Sequence, residues 1–116
     1  MDILFVLLTG FLGVAISISA IGKIKRIPGA VESLANAGVK PEQFNKLAVL
    51  EILGSLGLFL GIWMPPIGAA AAIGIALYFI GAQTAHMRMR DTFQNMFPAT
   101  FLFLISAAVV IFQLKR

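Results

Sequence analysis

Four long apolar runs divide the chain, and polar residues gather in the segments that connect them. Each run is about 17–19 residues long, close to the ~20 residues of helix that cross a ~30 Å hydrocarbon core. The pattern therefore predicts four membrane-spanning helices in a single membrane domain. The predicted spans are Ile3–Ile21, Leu47–Met64, Pro66–Ala82 and Met96–Leu114.

The first apolar run is unlike a secretory signal peptide. An acidic residue, Asp2, precedes it, where a signal peptide carries basic residues. A basic cluster of Lys23, Lys25 and Arg26 follows it. Basic residues directly after an apolar run are typical of a stop-transfer segment. We therefore expect this run to stay in the membrane as the first span.

The longest connection, residues 22–46, contains the signals of a short helix. Pro28 suits the first turn of a helix and Gly38 suits the position just after its end. Val31 and Leu34 then share one apolar face. We predict a short helix lying at the membrane interface between spans one and two. The predicted fold class is accordingly all-α, an integral membrane four-helix bundle with this additional short helix.

Basic residues are distributed unequally between the two sides of the predicted bundle. The connections between spans one and two and between spans three and four carry seven, whereas the terminal side has Lys115 and Arg116. Cytoplasmic loops of membrane proteins are enriched in Lys and Arg. We therefore expect residues 22–46 and 83–95 in the cytoplasm, both termini outside, and the protein in the plasma membrane.

Composition supports the membrane class and excludes several kinds of chemistry. Hydrophobic residues make up 59% of the chain and charged residues 12%, against about 25% charged residues in soluble domains. The chain has no cysteine, so thiol chemistry is impossible. Metal chemistry lacks support, because the chain has one histidine and no paired acids at helical spacing. The net charge of +4 comes from residues that flank apolar runs. We therefore expect the lipid bilayer, and no nucleic acid, as the partner.

Glu51 is the most informative polar residue, because it lies inside the second predicted span. An acid in the middle of a membrane helix costs roughly 2.5–3.5 kcal/mol on insertion scales. An ionisable residue in this environment indicates pairing or function. Lys23 closes the first span on the same side of the membrane, so we expect it to be the partner of Glu51. Such a pair is either structural or part of a ligand site.

Antiparallel spans bring further polar side chains to a depth similar to that of Glu51. Ser55 lies one helical turn deeper, and Gln83 and His86 close the third span on the same side. We predict a polar pocket in one half of the membrane that opens towards the cytoplasm. Its candidate ligand-binding residues, none of them assigned as catalytic or metal-binding, are Lys23, Glu51, Ser55, Tyr78, Gln83, His86 and Asn95.

Each of these residues also has an ordinary structural interpretation, which the sequence leaves open. Lys23 can extend to the lipid headgroups, and His86 can be a solvated loop residue. Gln83 and Asn95 can form interhelical hydrogen bonds of about 0.6 kcal/mol each. Tyr78 can pack as an aromatic side chain with one satisfied hydroxyl group.

Four short segments support a family resemblance. They are Ser19-Ala-Ile-Gly-Lys23, Pro28-x-x-Val-Glu-x-Leu34 with a following Gly38-Val39, Leu50-Glu-Ile-Leu-Gly54, and Gly81-Ala-x-x-x-His86. In these segments and their order, the chain resembles the DoxX-like family of small four-helix membrane proteins along nearly its whole length. The resemblance implies that Lys23, Glu51 and His86 are family-pattern positions. It also implies a link to membrane redox complexes, because the family includes a subunit associated with thiosulfate:quinone oxidoreductase.

Three functions are compatible with these features. We favour a non-enzymatic or accessory membrane protein that binds a small lipophilic ligand, such as a quinone, in the polar pocket. The chain shows no cofactor motif, so any redox step takes its electrons from a membrane or peripheral redox partner.

The second candidate is a structural or assembly protein that docks another membrane protein, or a second copy of itself, through glycine-rich faces. The third is a proton-coupled small-molecule transporter in which Glu51 carries the proton. The nearby basic residue Lys23 and the lack of an acid in the first span argue against transport.

Overall fold

The chain folds into a helical bundle, which a computed structural model describes over residues 3–115, with every side chain in that range except that of Asn95. Within this range the regular structure is entirely helical. A short 3₁₀ turn, Pro41–Gln43, leads directly into the third helix. The α-helices are α1 (Ile3–Ile24), α2 (Pro28–Asn36), α3 (Phe44–Leu60), α4 (Pro65–Arg88) and α5 (Phe93–Leu114).

Four of these helical segments are long and apolar enough to cross a membrane, which confirms the predicted four-helix bundle. They comprise α1, α3 with its preceding turn, α4 and α5. The short helix α2 lies between the first two, as the sequence predicts. Large apolar side chains cover much of the outer surface of the bundle. Such a surface suits a lipid environment, in which the backbone polar groups are satisfied inside each helix.

The helices extend beyond the apolar runs at the ends that the polar connections join. α1 continues to Ile24 and α4 continues to Arg88, whereas α5 begins at Phe93. Hydropathy marks where lipid-compatible residues stop, but backbone hydrogen bonding continues through polar residues until a helix is capped. At the opposite side α3 ends at Leu60, and Pro65 begins α4 after a short turn.

Three helices on the polar side end with a residue in the left-handed conformation. Gly38 has φ 78°, and Arg26 and Arg90 have φ 57° and 54°. After α2, the backbone N–H of Val39 donates to the carbonyl of Leu34, so Gly38 closes α2 in the way predicted from the sequence. A left-handed backbone is easiest for glycine, so additional contacts must hold the two arginines there.

Arg26 has such contacts with the start of α3. Its guanidinium group donates to the carbonyl oxygen of Pro41 at 3.0 Å. The same group lies 4.4 Å from the centre of the Phe44 ring, a geometry in which a cation is attracted to the aromatic face. These contacts tie the end of α1 to the start of α3, although residues 25–43 separate the two helices.

The four long helices form a closed ring around one apolar core. α1 packs against α3 and α5, and α4 packs against the same two helices. Sequential neighbours are therefore antiparallel, and the polar connections lie at one end of the bundle. The core between the helices consists of Phe5, Leu12, Ile16, Leu58, Ala72, Ile75, Phe79 and Val109.

Glycines allow α3 and α4 to approach closely. A Cβ atom added at Gly57 would lie 2.6 Å from Cβ of Ala71. One added at Gly61 would collide with the backbone of Gly68. Small residues at a membrane helix interface let backbones come into direct contact. The close approach at this end therefore depends on the absence of side chains there.

We expect Gly61→Ala to destabilise the bundle, because α3 and α4 must move apart to admit the methyl group. Overpacking of this kind costs roughly 1–3 kcal/mol, which should lower the thermal unfolding midpoint in detergent micelles. Gly81→Ala in α4 is the matched control, because an added Cβ there meets no atom within 4 Å. Equal midpoints for the two variants would show that the close approach is not required.

Candidate functional site

A buried ion pair joins α1 to α3. Nζ of Lys23 lies 2.6 Å from Oε1 of Glu51, and the two side chains are 9% and 2% exposed. Ser19 completes the arrangement: its hydroxyl group accepts from Nζ at 2.7 Å and donates to the same Glu51 oxygen at 3.4 Å. The structure thus brings together the acid and the base that the sequence predicts to pair.

The helical spacing of α1 explains why Ser19 joins this site. Ser19 and Lys23 are four residues apart, so their side chains lie on the same face of the helix. Both therefore face Glu51, which lies two turns into α3. Sequence reasoning did not select Ser19, although its spacing from Lys23 was the signal that could have identified it.

A second polar contact between α1 and α3 lies one turn deeper. The hydroxyl oxygen of Ser55 is 2.9 Å from the carbonyl oxygen of Gly13 and 2.8 Å from the hydroxyl oxygen of Ser17. Ser17 also lies 2.8 Å from the Gly13 carbonyl oxygen. Ser55, a predicted ligand-binding residue, is therefore engaged at the interface between these two helices.

Gln83 and His86 are placed apart from the ion pair. The amide oxygen of Gln83 accepts from the hydroxyl group of Thr100 at 3.3 Å, which links α4 to α5. Nδ1 of His86 lies 2.6 Å from Oδ2 of Asp91, and both side chains are buried. Buried polar groups are nearly always hydrogen-bonded. The partner of Gln83 is in α5, and the partner of His86 is in the loop that follows α4. The side chain of Asn95 lies outside the described part of the structure.

A groove of about 640 Å³ runs between α3 and α4. Small residues on both helices create its width, and Glu51 and Tyr78 contribute polar side chains to its wall. The exposed side chains of Leu50, Leu53 and Leu77 lie among its lining residues, so the groove opens sideways towards lipid. This differs from the pocket open to the cytoplasm that we expected. The small lining residues are Gly54, Gly57, Ala70, Ala71 and Gly74.

One oxygen of Glu51 lacks a hydrogen-bond partner within the described residues. Oε1 is engaged by Lys23, whereas Oε2 is buried and unpaired. The hydroxyl group of Tyr78 approaches the same carboxylate, but Oε2 is left without a hydrogen bond. A buried acceptor without a partner costs about 1–3 kcal/mol. Thr9 has a similar unpaired hydroxyl oxygen, but Thr9 is not part of the groove.

The arrangement combines an apolar groove with a polar end. Glu51 supplies an acceptor and Tyr78 supplies a hydroxyl group that can donate or accept. The nearest cation, Lys23, lines a separate crevice between α1 and α2. The groove can therefore form hydrogen bonds with a lipophilic molecule. The charge of Glu51 is neutralised by Lys23 of α1, which lies outside the groove lining.

We expect single substitutions of the ion pair to destabilise the bundle more than the double substitution. Glu51→Gln and Lys23→Met each leave one buried charge without its partner, which costs about 3–5 kcal/mol. The double variant has no unpaired charge and should recover a large part of that loss. A double-mutant cycle of unfolding free energies in detergent measures the coupling. Additive effects of the two substitutions would contradict a direct pair.

Comparison with known proteins identifies the family of the chain. The family model of the DoxX-like family matches residues 7–109, which include the ion pair, the groove and the His86–Asp91 contact. Comparison with curated proteins and with solved structures gives no significant match. Because the family match covers most of the sequence, the chain belongs to the DoxX-like family of membrane proteins.

Proposed function

We propose that this protein binds a small lipophilic molecule with a polar head, of the quinone or quinol class, in the groove between α3 and α4. The observation that carries the proposal is the buried, unpaired Oε2 of Glu51, a residue that lines a largely apolar groove. Membrane proteins seldom retain a buried ionisable residue without a functional reason. A ligand head that satisfies this oxygen provides one.

The groove has the size and lining that such a ligand needs. Its volume of about 640 Å³ falls within the roughly 300–1,000 Å³ of typical small-molecule sites. Tyr78 and Phe79 meet edge to face with ring centres 5.3 Å apart, and both line the groove. Aromatic side chains pack well against a planar ring. Because the groove opens towards lipid, a lipophilic tail can remain in the membrane.

The proposal gives the predicted site residues different roles. We assign Glu51 and Tyr78 to ligand binding, since both line the groove. Lys23 is a positioning residue that acts through Glu51. The hydrogen bonds of Ser55 and Gln83 lie between helices, which supports a role in holding the bundle together.

The proposed role is that of an accessory protein in a membrane redox complex. The chain has no cysteine and no cofactor motif, so electrons for a redox step on the bound molecule would come from a partner protein. The ion pair argues against proton-coupled export of cations. Lys23 already balances the charge of Glu51 at 2.6 Å, so a cationic substrate would have to displace a tethered ammonium group.

We expect Gly74→Leu to abolish binding in the groove. Gly74 lines the groove, and an added Cβ there meets no atom within 4 Å, so a leucine side chain can extend into the groove volume. Isothermal titration of the protein in nanodiscs with decylubiquinone and with decylubiquinol, each corrected for protein-free nanodiscs, measures the affinity. A loss of at least about tenfold, equivalent to about 1.4 kcal/mol, is expected for whichever form binds.

Gly81→Leu is the matched control for this experiment. Gly81 also lies in α4 and is equally open, but it is not part of the groove lining. Its affinity should equal that of the wild-type protein. Failure of both quinone forms to bind the wild-type protein would refute the quinone class of ligand, and equal binding by the two leucine variants would refute the groove as the binding site.

We also propose that the protein lies in the plasma membrane with residues 22–46 and 83–95 in the cytoplasm. The chain has no cysteine, so single-cysteine variants report the orientation directly. Ser33→Cys in α2 should react with a membrane-impermeant maleimide only after the cells are permeabilised. Trp63→Cys, in the exposed turn between α3 and α4, should react in intact cells. The reverse labelling pattern would show the opposite orientation.

A further inference from the structure

We propose that the head group bound in the α3–α4 groove is a neutral hydroxyl group, which donates a hydrogen bond to Oε2 of Glu51 and accepts one from Tyr78. This inference rests on the proposed function and specifies the chemical class of its ligand. It distinguishes a quinol or a long-chain alcohol from an oxidised quinone, an ether or an ester, which present acceptors alone.

The carboxylate of Glu51 requires a donor. Oε1 receives the ammonium group of Lys23 at 2.6 Å and the hydroxyl group of Ser19 at 3.4 Å. Oε2 is the oxygen without a partner. A carboxylate paired with an ammonium group has lone pairs to offer and no proton to donate. A ligand carbonyl beside it would leave Oε2 unpaired, whereas a ligand O–H would satisfy it.

Two predicted ligand-binding side chains that can donate hydrogen bonds, Lys23 and His86, are engaged elsewhere. Lys23 donates to Ser19 and Glu51, and it lines the crevice between α1 and α2 instead of the groove. Nδ1 of His86 is paired with Asp91 at 2.6 Å. Lys23 and His86 are both among the ligand-binding candidates that the sequence predicts. Because Lys23 and His86 have these partners, the polar side chains that can contact a ligand in the groove are those of Glu51 and Tyr78.

Tyr78 supplies the hydrogen-bond donor for the oxygen of the ligand hydroxyl group. Its own hydroxyl group approaches the Glu51 carboxylate without satisfying Oε2. A ligand oxygen in contact with both groups can accept the Tyr78 proton and donate its own proton to Oε2. A hydroxyl group performs both roles with one atom, which matches one donor and one acceptor at the same end of the groove.

The charge balance of the site selects a neutral ligand over a cationic amine. An ammonium group could also donate to Oε2, but Lys23 already neutralises Glu51. A second cation in an apolar groove would leave a net buried positive charge, which is strongly unfavourable without a further anion. Two classes of lipophilic molecule share the neutral hydroxyl chemistry: reduced quinones and long-chain alcohols.

Two matched pairs of probes test the inference on the wild-type protein in nanodiscs. The first pair is decylubiquinol, kept reduced under anaerobic conditions, and decylubiquinone. The second pair is farnesol and farnesyl methyl ether. Binding that persists in Gly74→Leu is subtracted as partition into the bilayer. In each pair that binds, we expect the hydroxyl compound to bind at least about tenfold more tightly, because its partner leaves Oε2 unpaired.

Two variants separate the roles of the two side chains. Glu51→Gln should reduce the preference for the hydroxyl compound to less than about threefold, because an amide group donates as well as accepts. Tyr78→Phe should weaken both members of a pair by a similar factor and preserve their ratio, because both accept from Tyr78. If Glu51→Gln fails to fold, the wild-type ratios and Tyr78→Phe decide the question.

Each outcome has a distinct meaning. A preference in the quinol pair identifies a reduced quinone, and one in the farnesol pair identifies a long-chain alcohol; either supports the inference. Groove-dependent binding of decylubiquinone or the ether at an affinity equal to that of its hydroxyl partner overturns the inference and leaves the proposed function standing. Absence of groove-dependent binding for all four probes overturns both.

Discussion

The ion pair between Lys23 and Glu51 is the constraint on which the arrangement of the bundle depends. Both side chains are buried, and a buried charge is tolerated in a membrane only when a partner lies close. α1 and α3 must therefore adopt the relative height and rotation that bring these side chains together. The contact of Ser55 with the Gly13 carbonyl one turn deeper follows from the same register.

The ion pair also positions the groove. Once Glu51 faces α1, the glycine-rich side of α3 faces α4, where Gly57 and Gly61 meet small residues. The side chain of Glu51 thus belongs both to the α1–α3 interface and to the α3–α4 groove. Oε1 of Glu51 stabilises the contact with α1, whereas Oε2 is buried without a partner and is the acceptor that we propose a ligand satisfies. The carboxylate of Glu51 therefore contributes to the packing of α1 against α3 and, in our proposal, to ligand binding.

The sequence was a good guide to the helices and a weaker guide to their ends. The apolar runs indicated all four spans, and Pro28 and Gly38 marked the short helix α2. The end of α4 was placed at residue 82, six residues before Arg88. Polar residues continue a helix as readily as apolar ones until a cap intervenes. Hydropathy therefore predicts what a membrane accepts and only indirectly where hydrogen bonding stops.

The sequence by itself determined the membrane class, the four spans, and the depth at which Glu51 and Lys23 meet. Depth follows from counting residues along a helix, because each residue advances the chain by a fixed rise. Only the tertiary structure decided which side chains at that depth touch: His86 and Gln83 face other partners, and the groove opens towards lipid. Rotation about a helix axis depends on the packing of its neighbours, which no count along one chain supplies.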